Sequence, residues 1–121
     1  MYYGRYNKYG SRKSVCSEGH THDSAKEAAR CSQLHLLQKA GEIADLEIQK
    51  EFVIIPAVGY GAPMKNERKS CYKADFVYFD KALGKTVIED SKGMRTKEYI
   101  LKRKLVKQLY CQDGKTIFIE T

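Results

Sequence analysis

The stretch CYKADFVYFDKALGKTVIEDSKG, residues 71–93, contains the pattern on which the predicted fold rests. Two runs within it, residues 71–79 and 85–92, are rich in β-branched and aromatic side chains, which are typical of strands. The segment DKALG between them, residues 80–84, is short and ends in a glycine, as suits a tight hairpin connection. We therefore predict two neighbouring antiparallel strands.

The predicted hairpin places two acidic residues opposite each other. A tight connection pairs Phe79 with Thr86, and the same register then pairs Asp75 with Asp90. Directly opposed side chains lie about 5 Å apart on one face of a sheet, and Lys92 returns to the face of Asp90 because side chains alternate. A register slip of one residue would instead separate the two acids. The favoured register predicts two carboxylates and a lysine in one place.

Two opposed carboxylates destabilise a half-buried sheet unless another group offsets their repulsion. A divalent cation does so, and carboxylate oxygens suit Mg²⁺ or Mn²⁺. Lys92 beside such an ion would hold or deprotonate a water molecule, or stabilise developing negative charge. The alternative is a surface salt-bridge cluster. The apolar residues that flank Asp75 and Asp90 in both strands favour a buried, functional site instead.

The rest of the chain supplies two more strands and two helices. The order is helix, three strands, helix, strand, which predicts an α/β fold with a mixed sheet flanked by helices. Caps and apolar spacing predict the helices at residues 24–40 and 96–110, and the remaining strands are predicted at residues 45–55 and 115–120. The apolar stripe of the second helix is predicted from leucines at every fourth position, which are Leu101, Leu105 and Leu109.

The first helix carries a carboxylate at the end of its apolar stripe. Cys31, Leu34 and Leu37 lie on one face, and one turn earlier the same face holds Glu27. Ser24 and Glu27 have the S-x-x-E spacing of a capping box, which explains the glutamate without any function. Otherwise, Glu27 is a candidate third acid of the site.

The charge balance favours a polyanionic partner. The net charge is +7, which favours nucleic acid or a membrane surface as a partner, although a basic surface without such a role has the same charge. Residues 1–22 are basic and tyrosine-rich without a periodic pattern, so they form either a flexible tail or an arm that contacts phosphates and bases. Residues 56–70 form a basic loop or mobile arm. The cations of these two segments that we assign to nucleic-acid binding are Arg5, Arg12, Lys13, Lys65 and Arg68.

We expect neither a membrane-spanning segment nor a nucleotide cofactor. No apolar run approaches the ~20 residues of a membrane-spanning helix, the N-terminus lacks the apolar core of a signal peptide, and neither a P-loop nor a G-x-G-x-x-G motif is present. The four cysteines include no C-x-x-C pair, so we expect reduced thiols in a cytoplasmic protein. Cys16, His20 and His22 are close in sequence, but three ligands are a weak zinc signal, because structural zinc sites have four.

The acidic residues and the lysine resemble the motif of the PD-(D/E)XK nuclease superfamily. That motif is an acid on the second strand followed by acid-x-lysine on the third. In this chain it corresponds to Asp75, within KADF, and to the triplet Asp90, Ser91 and Lys92. The acid that the family carries on its first helix corresponds to Glu27, within HDSAKEAAR.

The resemblance covers residues 20–120 and is greatest to small phage-encoded members, which are similar to archaeal Holliday junction resolvases. This chain departs from the motif in two places: Ala74 replaces the proline, and the acid before x-lysine is Asp90 rather than glutamate. The fold that the resemblance implies is a restriction-endonuclease-like core. It would form a single nuclease domain, residues 23–121, preceded by the arm of residues 1–22.

The activity that the resemblance implies is metal-dependent hydrolysis of a DNA phosphodiester. Lys92 would orient the attacking water, and Arg95 and Lys102 would join the basic arms in contacting phosphates. The implied ligands of Mg²⁺ or Mn²⁺ are Asp75, Asp90, the carbonyl of Ser91, and Glu27.

The implied substrate is branched DNA, cut by a Holliday junction resolvase-like enzyme of phage recombination or replication in the cytoplasm of a bacterial host. Symmetric cleavage of a junction needs two active sites, so we expect a homodimer, with the first helix or the 56–70 segment as its interface. Two alternatives stay open. One is a nicking or restriction-type enzyme that acts on ordinary duplex, and the other is a non-catalytic DNA-binding protein on a nuclease fold.

Overall fold

The computed structural model describes most of the chain, namely residues 13–59, 61, 63–91 and 95–121. Three residues with predicted functional roles lie outside the described residues: Arg5, Arg12 and Lys92. The elements in chain order are β1 (Ser14–Val15), β2 (Thr21–His22), α1 (Ala25–Lys39), β3 (Ile43–Ile55), β4 (Ser70–Asp80), β5 (Lys85–Asp90), α2 (Lys97–Tyr110) and β6 (Thr116–Glu120).

Both helices begin where the sequence predicts. The hydroxyl of Ser24 accepts a hydrogen bond from the backbone N–H of Glu27 at 3.1 Å, and that of Thr96 accepts one from the N–H of Tyr99 at 3.1 Å. α1 is followed by Gly41, whose φ of 81° lets the chain turn back and bond to the last helical carbonyls. No helix among the described residues is both long and apolar enough to cross a bilayer.

Four strands form one mixed sheet in the order β3-β4-β5-β6. β3, β4 and β5 are antiparallel neighbours, whereas β6 lies parallel to β5. α2 provides the crossover that a parallel pair requires. The β4–β5 ladder pairs Phe79 with Thr86, as predicted, and this register brings Asp75 level with Asp90. The protein is therefore an α/β protein, and from α1 onward its elements follow the predicted order.

The two helices cover opposite faces of the sheet. Neighbouring residues on a strand point to opposite faces, and Phe76 and Val77 accordingly belong to two different apolar clusters. The α1-side cluster consists of Cys16, Ala28, Cys31, Leu34, Ile43, Phe76, Tyr78 and Val87. The α2-side cluster consists of Phe52, Ile54, Tyr72, Ala74, Val77, Ile88, Tyr99 and Val106.

The buried stripe of α2 differs from the predicted one. Leu101 and Leu109 are exposed, whereas Tyr99 and Val106 are buried. In a helix of 3.6 residues per turn, a spacing of four residues rotates by about 40° more than a full turn. Leucines at every fourth position therefore drift away from the sheet, while residues seven apart stay on the side that faces it.

Packed structure begins before residue 23, where the sequence prediction placed the start of the domain. β1 and β2 pair as a small antiparallel hairpin, and Cys16 and His22 of this hairpin are buried. The α1-side cluster includes Cys16, so the hairpin packs on that helix. Each of its strands has two residues, which is too few for an alternating pattern to appear in the sequence.

A bridge between Val58 and Glu67 extends the pairing of the β3–β4 hairpin beyond the two strands. The backbones of Val58 and Glu67 exchange hydrogen bonds of 3.0 and 2.7 Å. Gly59 lies so close to Asn66 that an added Cβ would fall 2.3 Å from the side-chain oxygen of Asn66. A side chain at this position would therefore require the Asn66 side chain to move.

One ion pair ties α1 to the centre of the sheet. The Nε and Nη2 atoms of Arg30 donate to the two carboxylate oxygens of Glu89 at 2.6 and 2.9 Å, and the hydroxyl of Tyr78 donates to Oε1 at 2.7 Å. Glu89 is fully buried. A buried carboxylate is costly unless it is paired and hydrogen-bonded, so Arg30 and Tyr78 allow β5 to carry Glu89 inward.

We expect Arg30→Ala to lower the free energy of unfolding by about 2–3 kcal/mol, because it leaves Glu89 buried with one fewer partner. This is below the range for fully buried pairs, since the Arg30 side chain keeps 23% of its exposure to solvent. Urea unfolding measures the difference. The control is Lys39→Ala, which breaks the exposed pair with Glu18 and is expected to cost less than about 1 kcal/mol. Equal losses in the two variants would contradict this prediction.

Candidate functional site

Two buried carboxylates lie side by side where β5 ends. Asp90 is the last residue of β5 and is fully buried, and Asp75 on β4 is 6% exposed. One carboxylate oxygen of Asp75 accepts a hydrogen bond from the backbone N–H of Ser91 at 2.8 Å. This contact holds the chain after Asp90 against Asp75. The structure thus brings together the two acids that the sequence predicts to be neighbours.

The strands are distorted at the level of Asp75. Gln49 on β3 has a φ of 58°, which is uncommon for a residue with a side chain, and the β3–β4 register on either side of it places Gln49 level with Asp75. On β4, Ala74 packs in the α2-side cluster and Phe76 in the α1-side cluster, although a regular strand would point both to one face. Backbone distortions of this kind are frequent at functional sites.

A tyrosine hydroxyl orients the second acid. The hydroxyl of Tyr72 donates a hydrogen bond to the carboxylate of Asp90. The ring of Tyr72 is buried and packs near those of Tyr99 and Phe118, with centroid distances of 6.3 and 6.1 Å. The apolar surroundings fix the position of the donor, so the carboxylate of Asp90 has a defined orientation.

Beside Asp90, β6 carries another carboxylate. The parallel register pairs Asp90 with Glu120, which accepts hydrogen bonds from Tyr99 and Arg103 at 2.8 Å each and from Arg95 at 3.1 Å. Burial alone would raise the pKa of Glu120, but these hydrogen bonds and the two guanidinium charges outweigh burial and lower that pKa. Arg95, a predicted phosphate contact, is therefore held at this edge of the sheet.

Glu27 approaches the strands from α1. It is 3% exposed, and its Oε1 atom accepts a hydrogen bond from the side-chain amide of Gln49 at 2.8 Å. The same oxygen lies 3.3 Å from Nδ1 of His22, and Oε2 accepts a hydrogen bond from the N–H of Asp23 at 3.3 Å. The capping box is therefore only half formed: Ser24 caps the helix, while the carboxylate of Glu27 turns to other partners. The hydrogen bond to Gln49 connects Glu27 to the part of the sheet that holds Asp75, because Gln49 is level with Asp75.

The described cations predicted to bind nucleic acid are spread over the surface. Lys65 and Arg68 are exposed in the 56–70 segment. Lys102 on α2 pairs with Glu98 at 3.0 Å. The last described member, Lys13, lies 4.0 Å from Asp23 beside the β1–β2 hairpin. The structure therefore places these cations at several positions rather than in one cluster.

Sequence reasoning missed three residues that shape the site: Tyr72, Gln49 and Glu120. Glu120 could have been found from the sequence, because VIED and IFIE both end in an acid. The carboxyl ends of parallel strands meet at one edge of the sheet, which places the two acids next to each other. Tyr72 and Gln49 had no such signal. Their roles depend on contacts with distant elements, Tyr72 with β5 and Gln49 with α1, which local patterns do not encode.

The donor set at the end of β5 suits a hard divalent cation. Asp75 and Asp90 provide carboxylate oxygens, the ligands that Mg²⁺ and Mn²⁺ prefer. Both side chains are buried, where water cannot offset their charges. Their chemistry fits the cation that the nuclease resemblance implies.

Comparison of the sequence with known proteins assigns the chain to one protein family. No curated protein and no solved structure matches the chain. The family model described as "Protein of unknown function (DUF1064)" matches residues 6–120, which is nearly the whole chain. The protein therefore belongs to the DUF1064 family.

Proposed function

We propose that this protein is a metal-dependent DNA endonuclease with a restriction-endonuclease-like core. The observation that carries the proposal is the pair of buried carboxylates, Asp75 and Asp90, level with each other on β4 and β5. Opposed acids repel each other, and a divalent cation bound between them would offset that repulsion. The order of elements and the sequence D-S-K at residues 90–92 support the same function.

Asp75, Asp90, the carbonyl of Ser91 and Glu27 would hold Mg²⁺ or Mn²⁺. When bound, the ion lowers the pKa of a water molecule and neutralises charge on the scissile phosphate. Tyr72 fixes the orientation of Asp90 through its hydroxyl, and Gln49 holds Glu27 at the level of Asp75.

Lys92 follows these acids in the motif and would orient the attacking water or stabilise negative charge on the phosphate. This residue lies outside the described part of the chain, so its role is proposed from the motif alone. The proposed catalytic set is Glu27, Asp75, Asp90 and Lys92.

DNA would be held by cations around this edge of the sheet and on the 56–70 segment. Lys65 and Arg68 are exposed there, and a phosphate would compete with Glu120 for Arg95 and with Glu98 for Lys102. Arg5, Arg12 and Lys13 would add contacts from the N-terminal side. Such contacts position the backbone and carry no base specificity.

We further propose that the substrate is branched DNA, cut by a homodimer during phage recombination or replication in a bacterial cytoplasm. The similarity of the motif to resolvase-like phage nucleases supports this substrate class. A four-way junction needs two symmetric cuts, and two copies of the site provide them.

Asp90→Asn is expected to lower the rate of cleavage by at least about 100-fold, because it removes a charge that holds the cation while preserving side-chain shape. Cleavage of a labelled four-way junction and a matched linear duplex is measured with Mg²⁺, Mn²⁺ or EDTA. The control is Glu51→Gln, which removes the charge of an exposed acid on β3 and should leave the rate unchanged.

The outcome of this assay separates the candidate functions. Metal-dependent symmetric cuts in the junction, lost in Asp90→Asn alone, would support the proposal. Equal cutting of the duplex would indicate a nicking or restriction-type enzyme. Tight binding without cutting in any metal would leave a DNA-binding protein and refute the catalytic role of Asp90.

Replacement of Lys65 and Arg68 by alanine is expected to weaken DNA binding and to reduce the slope of log K against log salt by about 2, since each phosphate contact contributes roughly 0.9. Binding is measured by fluorescence anisotropy at several salt concentrations. The matched control replaces Lys81 and Lys85, two cations near the opposite end of the β4–β5 hairpin from Asp90. An identical slope change in the control would show that only net charge matters.

A further inference from the structure

Four metal-ligating side chains converge between the β1–β2 hairpin and α1. They are Cys16, His20, His22 and Cys31, and one ligand atom from each lies within 4.8 Å of the others. Three of them belong to the hairpin segment, and Cys31 lies in α1. The helix therefore supplies the fourth ligand that the sequence segment 16–22 lacks.

Two sulfur–nitrogen distances in this cluster are close to those of a tetrahedral zinc site. Nδ1 of His20 lies 3.4 Å from Sγ of Cys16 and 3.7 Å from Sγ of Cys31. A zinc ion with ordinary bond lengths, about 2.3 Å to sulfur and 2.0–2.1 Å to nitrogen, holds sulfur and nitrogen roughly 3.5 Å apart. Little rearrangement is needed for these atoms to share one ion.

Three of the four side chains, those of Cys16, His22 and Cys31, are buried. His22 is 2% exposed, and neither of its ring nitrogens has a hydrogen-bond partner among the described residues, although Nδ1 lies near Glu27. A buried polar nitrogen without a partner is costly. Cys31 is fully buried and Cys16 is 7% exposed. A bound cation would satisfy His22 and compensate two thiolates that are largely shielded from water.

Glu27 occupies the position of an outer-sphere partner. Its Oε1 atom lies 3.3 Å from Nδ1 of His22, which leaves Nε2 of the same ring for a metal. Histidine ligands of zinc commonly donate their second ring N–H to a carboxylate, which fixes the tautomer and the ring orientation. Gln49 and the backbone of Asp23 bond to Glu27 in turn.

The backbone around the ligands is shaped to present them. The N–H of Cys16 bonds to the carbonyl of His20 at 2.9 Å, and Gly19 between them has a φ of 85°. The N–H of Ser17 bonds to the hydroxyl of Ser32 on α1 at 2.8 Å. The turn is therefore tight and is tied to the helix that carries Cys31.

We propose that Cys16, His20, His22 and Cys31 bind a structural Zn²⁺ ion that fastens the β1–β2 hairpin to α1. Two thiolate and two imidazole ligands select zinc over Mg²⁺, which prefers oxygen. Four protein ligands complete a tetrahedral shell and leave no open position for a reacting water, so the site is structural rather than catalytic. By fixing His22, the ion also fixes Glu27. The zinc site does not depend on the nuclease proposal.

The test is the metal content of the full chain, purified with a phosphine reductant and without chelators. Mass spectrometry of the metals should find about one zinc per chain in the wild type and in the controls Cys71→Ser and Cys111→Ser, which change half-buried cysteines outside the cluster. Cys16→Ser and Cys31→Ser should lose the zinc. A wild type without zinc, or equal losses in the control variants, would overturn the proposal.

Cobalt substitution covers the case in which a cysteine variant does not fold. Wild-type protein stripped of metal and titrated with Co²⁺ should show the intense visible bands of a tetrahedral site together with a thiolate-to-cobalt charge-transfer band. His20→Gln, at the more exposed edge of the cluster, should weaken both. A wild-type spectrum of octahedral Co²⁺ without charge transfer would refute the site.

Glu27→Gln tests the outer-sphere contact. We expect it to lower zinc affinity about 10- to 100-fold in competition with a chromophoric chelator, with the ligand set itself intact. Asp90→Asn should keep wild-type zinc affinity, which separates this site from the proposed catalytic one. Unchanged affinity in Glu27→Gln would refute the role of Glu27 at this ion.

Discussion

Carboxylates buried in or beside the sheet must find partners there, because they have lost the water that would stabilise their charge. This constraint determines how the layers fit together. Arg30 reaches from α1 to Glu89, the backbone after β5 turns to Asp75, and Tyr72 turns to Asp90. Arg30 lies on α1, Ser91 follows β5 and Tyr72 lies on β4, so these contacts dock α1 on the sheet and hold β4 against β5. The buried acids that impose this constraint are Glu27, Asp75, Glu89 and Asp90.

Features encoded by local patterns could be predicted from the sequence. The helix caps at Ser24 and Thr96 and the register around the tight turn follow from neighbouring residues, and the structure confirms them. The same register made Asp75 and Asp90 neighbours. Features that arise from contacts between distant segments could not be predicted. The distortion at Gln49 belongs to this second group, and so does the hydrogen bond from Tyr72.

The Cys/His cluster is hard to find in the sequence, because its fourth residue, Cys31, already has a role in the apolar stripe of α1. Cys31 fits the apolar stripe of α1, and that role accounts for it without a metal. Its second role appears only when the β1–β2 hairpin lies on the helix and brings Cys16, His20 and His22 to the same point. Packing and ligation are compatible here, since a buried thiol serves as a small apolar group or as a ligand.

The parallel pairing of β5 with β6 has a consequence for the order in which the chain folds. β3, β4 and β5 are joined by hairpins and contact their neighbours in sequence, whereas β6 can dock only after the whole of α2 has crossed the sheet. Contacts that close long loops form late, because the entropy of loop closure is lost before the contact is gained. Glu120 lies beside Asp90 only when β6 has paired with β5, so the arginines that bind Glu120 are positioned at the edge of the site by that pairing.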